Sequence, residues 1–216
     1  MPNHAWTKLH HRHYTNLFAA VVILFSLSPF LSDWLFGQIV RSALFFIALA
    51  AGIRPFCHQR RFFRLMVLLS TGFSLELLTL LPFLGDRASA LSLGSVGVFA
   101  AFTLLAIGLI SNQLFTDREV TKDTIMGGIC VYFLLGLLWG LLYIIAKHFD
   151  PQAFNQPDPD LIYFSFTTLT TLGYGDISPT SDLTQVLSNL EAIVGQMYPA
   201  VYLARLVSLY VSPEKL

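Results

Sequence analysis

A helix must offer roughly 20 mostly apolar residues to cross about 30 Å of hydrocarbon, and this chain of 216 residues holds several such stretches. They fall at 17–36, 39–53, 62–84, 91–115, 125–149 and 183–211, and they use up nearly the whole sequence. A shorter apolar segment at 161–172 cannot span as a straight helix. A content of 55% hydrophobic and 12% charged residues exceeds what one soluble core of this size would need. The pattern predicts an all-α membrane protein with six transmembrane helices and a re-entrant segment between spans five and six. Pro29, Asp33 and Arg41 interrupt the first two spans, which are the least regular.

Charge fixes the expected orientation. With the N-terminus in the cytoplasm, Lys8, Arg12, Arg54, Arg60, Arg61, Arg64, Arg118, Lys122, Arg205 and Lys215 lie inside and Arg41, Arg87 and Lys147 outside. Ten against three satisfies the positive-inside rule and places both termini in the cytoplasm. Lys8 and Arg12 before an apolar run resemble the start of a signal peptide, but no small-residue cleavage site follows, so the segment is read as an uncleaved span. Asp150, Asp158, Asp160, Asp176 and Asp182 then face outward, either as cation-attracting groups or as solvated loop acids. The net charge of zero gives no general attraction to nucleic acid. Cys57 and Cys130 fit neither a metal site nor a disulfide framework and are read as free thiols.

The run Thr168-Leu169-Thr170-Thr171-Leu172-Gly173-Tyr174-Gly175-Asp176 carries the chemistry. Irregular backbone at membrane depth is tolerated only where protein surrounds it or where it lines water. Glycines on either side of Tyr174 allow backbone angles closed to other residues, so successive carbonyl oxygens can turn toward one axis and replace an ion's hydration shell. The run resembles the filter signature of the tetrameric potassium-channel family, Thr-x-x-Thr-x-Gly-Tyr-Gly-Asp. The resemblance implies K+ sites formed by the carbonyls of Thr171, Leu172, Gly173 and Tyr174 with the Thr171 hydroxyl, continued outward by Gly175 and Asp176. It also implies that 161–169 is the pore helix, with its negative C-terminal end toward the ions.

Tyr163 and Phe164 stand at the two wall positions, where many relatives carry tryptophan, and Thr167, rather than a carboxylate, lies behind the filter beside Thr168. On the last span, Gly195 lies nineteen residues after Asp176, where the family's inner helix carries its hinge glycine. Pro199 follows one turn later. Together they mark an easy bend, or two residues that membrane helices accommodate. Glu191, one turn before Gly195, should be paired, protonated or in contact with cavity water, and is a gating candidate. Arg205 is read as snorkelling toward the interface.

Voltage-sensing relatives carry an arginine every third residue in span four, whereas 91–115 has no charged residue. Glu76 in span three is read as a polar packing contact, or as an ion-linked group. His4, His10, His11 and His13 belong to a cytoplasmic terminus, and the basic loop 54–64 marks orientation and is suited to anionic lipid. The organisation expected is a cytoplasmic N-terminus (1–16), a four-helix membrane domain without voltage-sensor arginines (17–115), a linker (116–124), a pore domain (125–211) and a short tail (212–216), with no regulatory domain following. The reading is a potassium channel subunit in the cell membrane, suited to a bacterial inner membrane, assembled with three further copies of itself and needing no cofactor beyond permeant K+. The alternatives are a non-conducting membrane sensor or regulatory subunit that keeps the fold, or a potassium transporter subunit. No catalytic constellation supports an enzyme.

Overall fold

The computed structural model describes residues 60–79, 87–117 and 120–211, with single positions between 14 and 47. In order come α1 (Arg60–Thr79), α2 (Arg87–Thr116), α3 (Lys122–Phe149), the short α4 (Leu161–Leu169) and α5 (Asp182–Val211). Among the described residues there is no strand, only one antiparallel bridge between Phe154 and Pro179. Ala88–Thr116, Lys122–Phe149 and Asp182–Val211 are long and apolar enough to cross a membrane, while the apolar part of α1, Met66–Thr79, is shorter. The first two expected spans fall on residues outside the described set apart from a few positions. Cys57, the four N-terminal histidines, Arg118 and the tail 212–216 lie outside it altogether.

The local chemistry explains where the helices start and stop. Thr121 accepts from the Thr124 amide at 3.1 Å while Thr124 returns a bond to the Thr121 amide, a capping box that opens α3. Asp160 opens α4 by accepting from the amides of Ile162 and Tyr163 at 3.1 and 3.0 Å. Arg205 of α5 donates to the backbone carbonyls of Phe115 and Asp117 at 2.5 and 3.1 Å. A cation there also suits the negative end of α2. Burial pushes the Asp117 carboxyl above the usual carboxylate range, and the nearby Arg205 guanidinium opposes that rise.

The core lies between α2 and α3, where Phe99, Phe102, Ile110 and Leu114 meet Cys130, Val131, Leu134 and Leu137. Cys130 is a buried free thiol. A second cluster, around Tyr143, Phe154, Leu161, Phe164 and Ile177, joins α3 to α4 and its flanking loops. On α3, Gly128, Gly136 and Gly140 lie at intervals of eight and four residues, so they share one face. Each receives a large side chain: Tyr202, Phe166 and Ile162 respectively. In lipid, where apolar side chains gain little by leaving their surroundings, such close approach supplies the packing. The tyrosine hydroxyls then reach backbone, Tyr198 to the Gly128 carbonyl at 2.9 Å and Tyr202 to the Thr124 carbonyl at 2.6 Å.

A Cβ at Gly128 would sit 2.1 Å from the Tyr202 ring. Gly128→Ala should therefore destabilise the fold by about 1–3 kcal/mol through overpacking, and Tyr202→Phe by about 1 kcal/mol through one lost hydrogen bond. Thermal unfolding of the purified protein in detergent checks both, and an unchanged midpoint for Gly128→Ala would contradict this packing.

Candidate ion-selectivity filter

After α4 the chain reverses at Thr170, and Thr171 takes a positive φ of 57° with its amide bonded to the Thr168 carbonyl at 2.9 Å. A left-handed conformation at a β-branched residue costs on the order of 1–2 kcal/mol. Gln196 of α5 helps to hold it by donating from Nε2 to the Thr171 hydroxyl at 3.0 Å.

The next two amides share one acceptor. The N–H groups of Leu172 and Gly173 both donate to the Thr167 carbonyl, at 2.8 and 3.1 Å. No peptide bond among the described residues is cis. In a trans peptide the carbonyl points opposite to the N–H of the following residue, so the carbonyls of Thr171 and Leu172 turn away from α4. Gly173 and Gly175 have φ of 53° and 77°, and an added Cβ at either would meet nothing within 4 Å. Backbone conformation, not lack of space, demands glycine there. Positive φ at 171, 173 and 175 alternates with negative φ at 172 and 174. Leu172 and Tyr174 are exposed, so this backbone lies on an open face of the chain.

Side chains from three helices brace the segment. Tyr163 of α4 stacks on Tyr174, with ring centroids 6.4 Å apart and planes at 8°, and its hydroxyl faces the Asp176 carboxylate. Phe164, expected at the second wall position, instead packs into the second cluster, edge-on to Tyr143 at 5.0 Å and Phe154 at 5.3 Å. The Thr167 hydroxyl is spent on the Phe164 carbonyl at 2.9 Å, which leaves its backbone carbonyl as the contact with the Leu172 and Gly173 amides. Tyr132 of α3 donates to the Leu169 carbonyl at 3.1 Å, satisfying one of the free carbonyls at the end of α4.

The Asp176 end is tied to the loop before α4. Asn155 Nδ2 and Gln156 Nε2 donate to the Asp176 carbonyl at 3.2 and 2.8 Å, and Asn155 also exchanges backbone and side-chain bonds with Ser178. Sequence reasoning missed these bracing residues. Gln196, a polar residue in an apolar helix next to Gly195, carried a signal that could have found it, whereas Tyr132, Asn155 and Gln156 carried none.

Glu191 is fully buried by its own chain. The Tyr143 hydroxyl donates to its Oε2 at 2.6 Å, and Ser165 Oγ lies 2.5 Å from its Oε1. Gly195 is where α5 crosses the end of α4, and a Cβ there would lie 2.0 Å from the Leu169 carbonyl oxygen. Pro199 has no N–H for the Gly195 carbonyl, so one helical bond is missing at that crossing. Whatever bending it permits, Gly195 also allows a contact that any side chain would obstruct.

Residues 129–212 match the family model described as "Ion channel". Similar curated proteins are two-pore potassium channel 3 of Arabidopsis thaliana, 34% identical over 95 residues, covering 43% of this chain and 20% of the relative; and two-pore potassium channel 2 of the same plant, 31% identical over 111 residues, covering 49% and 24%. Two pore potassium channel a of rice, Oryza sativa subsp. japonica, is 27% identical over 105 residues, covering 49% and 29%. The matched region thus spans about a quarter of the length of these relatives. No solved structure matches the chain. Residues 129–212, which hold the glycine-bearing turn and the helices on either side of it, are thus similar to the ion channel family, and part of the chain is similar to these potassium channels.

Proposed function

We propose that the chain is one subunit of a potassium-selective channel in which four copies surround a central path for passive K+ flux. The observation that carries this reading is the shared acceptor at Thr167. By taking both the Leu172 and Gly173 amides, it turns consecutive carbonyls toward the open face, which is what a stack of dehydrating ion sites requires. The carbonyls of Thr171, Leu172, Gly173 and Tyr174 and the Thr171 hydroxyl are the proposed K+ ligands, with Gly175 and Asp176 at the outer mouth. The described residues supply one such turn, and a ring needs four. α5 supports this arrangement, because Leu190, Ile193, Met197, Val201 and Val207 remain exposed on the single chain.

In the proposed topology there are six spans, α4 is a re-entrant pore helix between spans five and six, both termini are cytoplasmic, and the protein resides in a cell membrane. Gly195, Pro199 and Glu191 are the proposed gating residues. Opening is not driven by a charged fourth helix, because no charge lies between Ala88 and Phe115.

Purified protein in liposomes should pass K+ well above Na+, with block by barium. Gly173→Ala and Gly175→Ala should each abolish selectivity or conduction while leaving assembly intact, because the strain falls on the backbone alone. Retained K+ over Na+ permeability in both variants would remove the filter assignment.

Gly195→Ala should lower K+ flux by obstructing the α4–α5 crossing. It should also cost about 1–3 kcal/mol of stability, since the clash is with backbone that cannot rotate away. A variant that melts and conducts like the parent would contradict this contact.

Conductance should depend only weakly on membrane potential. One charge crossing the full field contributes about 2.3 kcal/mol per 100 mV, and the fourth span has none to move. Gating current that persists with the pore blocked would overturn this expectation.

A further inference from the structure

Glu191, Ser165, Tyr143 and Gly136 form a buried polar cluster whose hydrogen bonds can be counted proton by proton. Ser165 Oγ lies 2.5 Å from Glu191 Oε1 and 2.7 Å from the Gly136 carbonyl oxygen. A serine hydroxyl has one proton. An ionised Glu191 and a backbone carbonyl are both acceptors only, so one of these two short contacts would hold no proton. Tyr143 cannot supply the missing one, since its hydroxyl proton is directed to the other carboxyl oxygen, Oε2, at 2.6 Å. Ser188 stands 3.5 Å from the Tyr143 hydroxyl and donates its own proton to the Thr184 carbonyl at 2.8 Å.

A neutral Glu191 satisfies every contact. Its Oε1–H donates to Ser165 Oγ, Ser165 Oγ–H donates to the Gly136 carbonyl, and Tyr143 Oη–H donates to Oε2. The surroundings agree. Glu191, Ser165 and Tyr143 are all fully buried, and among the described residues no basic side chain lies within ion-pair distance of Glu191. The titratable groups facing it are two phenols of α3, Tyr143 and Tyr132. Its hydrogen-bond partner from α4 is Ser165, and among the described residues no charged group of α5 joins the cluster. An unpaired carboxylate so enclosed carries a large desolvation cost.

We propose that Glu191 is held as the neutral acid and acts as a positioning residue for the filter, locking α4 between α3 and α5, so that loss of its proton releases α4 and stops conduction. The link to the filter is short. Ser165 lies two residues before Thr167 on the nine-residue α4, and the Thr167 carbonyl is the acceptor that orients the Leu172 and Gly173 peptides. Ionisation would oppose the Ser165–Gly136 bond, because the serine proton would be drawn to the carboxylate and the Gly136 contact left unbonded. The direction follows: conduction persists at low and neutral pH and fails as pH rises through the titration of Glu191. The conduction part rests on the channel reading above, while the protonation part does not.

Two measurements on the full chain in liposomes test this. Infrared difference spectra should show a protonated-carboxyl C=O stretch at neutral pH that is absent in Glu191→Gln and disappears from the parent under alkaline conditions. K+ flux of the parent, followed between about pH 6 and 10, should fall by at least about tenfold per pH unit once the acid titrates, because the neutral fraction falls at that rate. Glu191→Gln should conduct like the parent at neutral pH and stay flat across the range, since its amide N–H can donate to Ser165 and its carbonyl can accept from Tyr143. A parent without the infrared band, or a parent and a Glu191→Gln variant whose flux falls together, overturns the proposal. A preparation that shows the band yet never passes K+ overturns the channel reading and leaves Glu191 protonated.

Discussion

The bifurcated bond at the Thr167 carbonyl is the contact on which the rest of the pore-like region depends. A carbonyl in the last turn of an α-helix lacks an intrahelical partner, and here the chain returns on itself so that two following amides take that place. The contact satisfies a buried acceptor and fixes the orientation of two consecutive peptide planes. Its accuracy is set by α4, nine residues long and marginal as an isolated helix. Hence α4 must be held from outside, and the surrounding structure does so from several directions. Asp160 fixes its start, Tyr132 and the Gly195 gap fix its end, and Ser165 anchors its middle.

The same demand explains where polar groups occur in otherwise apolar helices. Tyr132, Tyr143, Tyr198 and Tyr202 direct their hydroxyls to backbone carbonyls or to Glu191. Each bond contributes about 1 kcal/mol, little as stabilisation, but each has a narrow geometry. Apolar packing alone would let helices slide or rotate past one another; bonds to named carbonyls fix their register. The glycines of α3 serve the same end by creating gaps that accept the Tyr202 and Phe166 rings at Gly128 and Gly136 and the Ile162 side chain at Gly140.

Much of this was legible in the residues. The expected spans at 91–115, 125–149 and 183–211 correspond to α2, α3 and α5, and the short segment at 161–172 contains α4, because apolar length and charge-free composition are one-dimensional signals. The positive φ at Gly173 and Gly175 was equally open to reading, since glycine is what such a turn needs. Contacts set by three-dimensional approach were not. Nothing in the order of residues says that Phe164 turns toward Tyr143 while Tyr163 turns toward Tyr174, because adjacent helix positions differ by about a third of a turn and either could face the 171–176 segment. Arg205 looked like an interface residue because its partners are backbone carbonyls, which leave no mark in the sequence. Gly195 suggested a bend, and only the position of the Leu169 carbonyl reveals that it is also a gap.

That double role constrains how α5 can move. The missing hydrogen bond at Pro199 lowers resistance to bending on the side of Gly195. The Leu169 contact, however, sits at the same level, so a bend centred there changes the spacing between α5 and the end of α4. Glu191 lies one turn toward the N-terminal end of α5 and is locked to α3 and α4, whereas Tyr202 and Arg205 lie toward the C-terminal end and are bonded to α3 and to the end of α2. α5 is therefore held both above and below its weakest point. Movement at Gly195 must either break a set of bonds at one end or carry α2 and α3 along with it. The two sets differ in chemistry, since the one at Glu191 would depend on a proton, as proposed above, and the one at Arg205 involves a permanent cation. Motion triggered by a change in protonation would release the Glu191 half first, and that half adjoins α4, whose Thr167 carbonyl orients the Leu172 and Gly173 peptides.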